Sequence, residues 1–220
     1  MAEYLSPQQE QVVARLLAAP TARTEWPTWL LILAVYGAWL APLVWSHRLG
    51  LAATTLLLIL ACTWYMSLQH ELVHGHPTRW RSVNKLFGLA PLAVWFPYTL
   101  YLESHLRHHN DAHLTLPGMD PETHYVSDEV WQRSGWWMRA LFVHRKRFWG
   151  RFVFGPAMAI ASVAQEAVGQ LRAGQFRYLR MWSLHIAMLV AMLAAIERWT
   201  IVPAWYYLLL VAYPALSLAM

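Results

Sequence analysis

Two short runs of the chain carry residue types at spacings that hold metal ions. The first is His70-Glu71-Leu72-Val73-His74-Gly75-His76. Residues four apart on a helix share a face, so His70 and His74 can point at one ion. Gly75 and Pro77 stop that helix and leave His76 in an extended turn, as an additional candidate ligand. The second run is His105-Leu106-Arg107-His108-His109, whose spacings of three and four put His105, His108 and His109 on overlapping parts of one helical surface. A lone histidine most often packs or caps, but two clusters at ligand spacing reverse that reading.

The single cysteine, Cys62, lies in an apolar run, so no intrachain disulfide and no cysteine-held zinc or iron–sulfur centre can form. Any metal must be bound through nitrogen and oxygen. Imidazole suits iron, zinc, copper and nickel, and spacing alone does not choose among them. His70-Glu71-Leu72-Val73-His74 also fits the HExxH pattern of zinc proteases, in which the glutamate is the base. An intramembrane protease of that kind would leave the second cluster without a task.

The elements that must position these clusters belong to a membrane protein. Hydrophobic residues make up 58% of 220 positions and charged residues 13%, far from the balance of a soluble domain. Four stretches approach the roughly 20 residues a bilayer requires, near 28–46, 49–69, 181–197 and 201–220. His47-Arg48 joins the first two and a brief link around Glu197-Arg198 joins the last two, so each pair forms a hairpin. The expected fold class is an all-α membrane protein of two transmembrane hairpins, with a histidine-rich helical region and interfacial helices between them.

Thirteen of the seventeen basic residues lie between positions 70 and 180, which places that stretch and both histidine runs on the cytoplasmic side. The same basic block carries no nucleic-acid motif. Trp26, Trp29, Trp45, Trp64, Tyr65, Trp182, Trp199 and Trp205 fall near the span ends, as an aromatic belt would. Residues 86–102 are apolar but interrupted by Pro91 and Pro97, and read as an interfacial or re-entrant segment. Residues 148–171 read as another interfacial helix. Before the spans, Ser6-Pro7-Gln8-Gln9 has a helix-start pattern, followed by Val12, Val13, Leu16 and Leu17 on one stripe. Residues 1–25 are therefore expected to form an N-terminal interfacial helix and lead-in, and 26–220 the membrane domain.

The HxxxH run at the end of a membrane hairpin, followed some thirty positions later by HxxHH, resembles the membrane fatty acid desaturase and hydroxylase superfamily. The longer run His70 to Arg79, with Pro97-Tyr98, His105 to His109 and Leu114 to Glu122, is similar to the bacterial fatty acid desaturase branch. That resemblance implies two iron ions, a fatty acyl lipid or thioester substrate, dioxygen and an electron donor such as a ferredoxin. It places the protein in the bilayer of the bacterial inner membrane and implies His70, His74, His105, His108 and His109 as ligands. A hydroxylase or a carotenoid-modifying oxygenase is the alternative within the fold, and a degenerate, non-enzymatic membrane protein lies outside it. Members carry a third histidine box after the second hairpin, so a chain ending at Met220 is expected to be truncated before it.

Glu71, Glu103, Asn110 and Asp111 stand beside the boxes as candidates to orient the rings, although each could simply face water. Asp120-Pro121-Glu122 reads as a turn or helix start. His113, His124, His144 and His185 have no partner at ligand spacing and read as structural, and His47 belongs to the opposite membrane face. Arg145-Lys146-Arg147 reads as a solvated charge cluster, or as a steering patch for an acidic electron donor.

Overall fold

The computed structural model describes residues 6–18, 24–110, 112–120, 122–123 and 125–220. Among these the fold is all helical, with no strand. Helix α1 (Pro7–Ala18) starts on the expected capping box: the Ser6 amide donates to Gln9 Oε1 at 2.8 Å and the Gln9 amide to Ser6 Oγ at 3.3 Å. All its residues are exposed, the Val12, Val13, Leu16 and Leu17 stripe included.

Helix α2 (Trp26–Val44) has proline in its first turn, where the missing amide costs nothing, and is followed by α3 (Ser46–Val73). Gly50 at φ 75° breaks α3 near its start and lets the chain reverse. The long apolar run then continues to Val73, where His74 caps the helix and Gly75 at φ 96° turns the chain away. Helix α4 (Arg81–Gly88), a single 3₁₀ turn (Pro91–Ala93) and α5 (Tyr98–His109) follow, so the apolar 86–102 stretch is broken at both prolines, as expected. Short helices α6 (Asp128–Arg133) and α7 (Trp136–His144) lead to α8 (Phe148–Arg172), α9 (Phe176–Trp199) and α10 (Ala204–Ala219).

The helices that qualify as spans by length and composition are α2, α3, α8 and α9. That set differs from the expected one. The expected fourth span, 201–220, is a shorter apolar helix whose Tyr207–Ala212 stretch winds as a π-helix. It nevertheless crosses the same thickness as α3. Ile201 donates to Ser46 Oγ at the hairpin tips, Thr55 bonds Tyr206, and at the far end Leu216 and Met220 share a cavity with His70. By contrast, α8 keeps to the histidine end. Its Phe152 carbonyl accepts from Ser217 Oγ at 2.8 Å, and its later residues Ala159 and Glu166 line that same cavity.

Lipid tails are as apolar as leucine, so packing and hydrogen bonds hold such helices together, at about 0.6 kcal/mol for an average interhelical bond. Val35 and Tyr65 are buried with Leu68 and Leu72 between α2 and α3, while Leu58 and Cys62 pack against Val211 and Ala215 of α10. Tyr207 accepts from Trp39 Nε1 at 2.8 Å and lies 3.3 Å from Cys62 Sγ. Trp95 Nε1 donates to the Ala212 carbonyl, at the end of the π-helical stretch, at 3.1 Å.

Candidate metal centre

The segment between the clusters is fastened before the histidines are placed. The Tyr65 hydroxyl lies 2.8 Å from the Gly88 carbonyl and 2.6 Å from that of Ala90, and Gln69 Nε2 donates to Gly88 at 3.0 Å. Asn84, 1% exposed, ties the turn after the first box: its Nδ2 donates to the carbonyls of Gly75 and Thr78, and its Oδ1 accepts from the Thr78 amide. These bonds fix the start of α5 relative to the end of α3, which sets the distance between the two histidine clusters.

Four histidines converge there. One ring nitrogen from each of His70, His74, His105 and His109 lies within 4.8 Å of the others. His105 Nε2 is 3.3 Å from His74 Nε2 and 3.0 Å from His109 Nε2. Nitrogens bound at about 2.1 Å to one ion stand roughly 3.0–3.4 Å apart, so these spacings fit a shared cation. Desolvation, followed by the neighbouring His70 and His109, pushes the His74 imidazole below its ordinary pKa and favours the neutral, ligating form.

Carboxylates hold the rings from behind. His105 Nδ1 meets Glu122 Oε1 at 2.9 Å, and His108 Nδ1 meets Asp120 Oδ1 at 2.8 Å. A carboxylate at Nδ1 fixes the proton there and leaves Nε2 its lone pair, which His105 presents to the centre, a tautomer assigned from the bonding pattern. Asp120 is only 4% exposed. Desolvation raises its pKa, but the Thr115 and Glu122 amides and His108 outweigh it and bring the carboxyl down to about 2. Thr115 takes a left-handed φ of 68° and Gly118 one of 83°, which curls residues 112–120 so that the Thr115 amide reaches Asp120.

A family model described as fatty acid desaturase matches residues 46–220. This chain belongs to the fatty acid desaturase family. The zeaxanthin 4-ketolase of Chlamydomonas reinhardtii is 30% identical to it over 122 residues, 50% of this chain and 26% of the relative. The chain thus spans about a quarter of that relative's length. No solved structure matches it. Family and apolar helices together make it an integral membrane protein.

Within this desaturase-family chain, His108 lies beside the four-nitrogen group and not in it, and Asp120 holds its Nδ1. His76 Nδ1 is 2.6 Å from Glu25, the residue preceding α2, and so is turned toward the start of the first span. Of the groups expected to orient rings, Glu71 reaches His70 Nδ1 only at 3.9 Å, Glu103 pairs with Arg177 of α9, and Asn110 donates to the Leu106 carbonyl. Asp111 and His124 lie outside the described residues. His185 is buried and its Nε2 lies 2.6 Å from the Val94 carbonyl, which gives it a structural partner.

The sequence reading took Asp120 and Glu122 for a turn and missed what they bond. The available signal was the short connection from His109, with two acids about a proline at its end, able to fold back on the box. Beside the centre lies a cavity of about 610 Å³ with His70 and Glu122 at the metal end and Met66, Phe96, Leu100 and Leu216 among its apolar walls.

Proposed function

We propose that this protein is an oxygen-dependent, iron-using oxidoreductase that places a double bond in a fatty acyl chain. The supporting observation is the convergence of four imidazole nitrogens, with His105 among them and His108 beside them braced by carboxylates, at the end of a cavity that has apolar walls. His70, His74, His105 and His109 would hold iron, with His108 adding a ligand nitrogen. Bound iron supplies the oxygen chemistry that an unactivated C–H bond needs, which acid–base side chains cannot. The chain's own residues do the rest: Glu122 and Asp120 hold the Nδ1 protons of His105 and His108, and the apolar walls align the acyl chain and exclude water. The balance of the reaction is one dioxygen and two electrons and two protons from a donor, plus two hydrogens from the lipid, giving two waters and the alkene. Arg145-Lys146-Arg147, at the turn from α7 to α8, is a suitable landing place for an acidic donor such as a ferredoxin.

A second reading, hydroxylation or ketone formation on a carotenoid-like lipid, is favoured by the likeness to a zeaxanthin 4-ketolase. Four converging nitrogens count against the zinc protease, which needs only His70 and His74 of them. Product analysis under ¹⁸O₂ decides. A double bond without label, abolished in His70→Ala and His105→Ala, is the expected outcome. Label retained in the lipid favours the second reading, and unchanged product in both variants overturns the ligand assignment.

A further inference from the structure

A second groove lies across α5 from the metal centre. It has a volume of about 430 Å³ and is walled by α4, the start of α5 and the first turns of α9. We propose that this groove binds one anionic phospholipid, its phosphate held by Lys85 and Arg180 and an acyl chain laid along Leu184 and Met188. The proposal is independent of the reaction the centre performs.

Charge is the first argument. Lys85, in the last turn of α4, and Arg180 are both exposed, and neither has an ion-pair partner among the described residues. Among the described residues no carboxylate lines the groove. Arg177, one turn before Arg180, already pairs with Glu103. Two cations without a counter-ion among the described residues, at a bilayer surface, call for an anion, and a zwitterionic lipid would bring a positive charge of its own.

Shape is the second argument. Arg180, Met181, Leu184 and Met188 follow one another along α9, so Met188 lies about 12 Å past Arg180 at the helical rise. The cationic end passes into an apolar end in the direction of the span, as a headgroup passes into its chains. The polar ring in the wall, His185, is engaged by the Val94 carbonyl and does not interrupt that surface. The floor is Pro97, Tyr98 and Thr99, while Tyr101 and Ser104 face the catalytic cavity from the same helix. A lipid seated here braces the helix that carries His105, His108 and His109 without entering the metal centre.

The test uses the full chain in nanodiscs of phosphatidylcholine with a rising fraction of phosphatidylglycerol, with retained lipids counted by native mass spectrometry. The wild type is expected to retain one phosphatidylglycerol. Lys85→Gln with Arg180→Gln should weaken retention about thirty-fold. Leu184→Trp, which fills the apolar end, should also lower it, and Arg172→Gln, outside the groove, should not. Inorganic phosphate should fail to displace the lipid. No phosphatidylglycerol retained by the wild type, equal retention in the double variant, or displacement by inorganic phosphate overturns the proposal. If the double variant does not fold, equal retention in Leu184→Trp overturns it by itself.

Discussion

At the proposed metal site Asp120 and Glu122 bond Nδ1 of His108 and His105, contacts that would choose the tautomer and fix the ring. Removing such a partner typically lowers metal affinity 10- to 100-fold, roughly. Asp120→Ala and Glu122→Ala are therefore expected to lose iron across that range, and Asn110→Ala to lose none, as read by bound iron per chain against a chelator series. If Asn110→Ala lost as much, the Nδ1 contacts would not be what orients the rings. The Asp120 carboxyl is held at about 2 from an ordinary value of 3.8, so the stability it adds is fully present above pH 4, roughly, and is lost as pH falls through 2. Hydrogen exchange of the Thr115 and Glu122 amides in the metal-free protein should stay slow to about pH 3 and quicken below it. Asp120→Asn should quicken them at neutral pH. His76, bonded to Glu25, is expected to tolerate alanine with its iron retained, whereas His74→Ala should lose iron.

The element that decides the site is the broken segment from α4 to α5. Tyr65 and Gln69 reach it from the last turns of α3 and give partners to the carbonyls of buried Gly88 and half-buried Ala90. Tyr65→Phe strands the Ala90 carbonyl and leaves that of Gly88 to Gln69 alone, and a buried unsatisfied group costs about 1–3 kcal/mol. The expected result is a lower unfolding temperature together with weaker iron binding, because α5 shifts with the segment. Gly88 is there for a separate reason: a Cβ at that position would lie 2.5 Å from the Tyr98 ring. Gly88→Ala must push Tyr98, at the base of α5, out of place. Bound iron in Gly88→Ala equal to wild type would show that α5 is positioned by something other than this contact.

At the scale of the whole molecule, both hairpin tips sit together and both histidine clusters sit at the other end. The Ser46 to Ile201 bond marks the first end and the His74 to His105 contact the second. Thirteen of the seventeen basic residues lie between positions 70 and 180, the stretch that carries both histidine clusters, so that end is expected to face the cytoplasm. A membrane-impermeant thiol reagent applied to intact cells should label Arg48→Cys and spare Arg81→Cys. Cys62, fully buried, supplies no background. Labelling at position 81 would reverse the topology.

Periodicity and composition determine what depends on neighbours along the chain. The apolar runs, the capping box at Ser6, the stop at Gly75 and the breaks at Pro91 and Pro97 were legible because each is a local consequence of residue type. The facing pairs His70 with His74 and His105 with His109 were legible for the same reason, helical spacing. What stayed hidden depends on distance in space. That Asp120 and Glu122 fold back on the second box rests on left-handed turns at Thr115 and Gly118, and nothing in the residue types specifies which ring each acid will meet. That α8 keeps to the histidine end although its composition would let it span, while the shorter α10 crosses beside α3, is set by side-chain contacts between helices far apart in sequence. Hydropathy measures how readily a segment leaves water, and packing decides where it then lies.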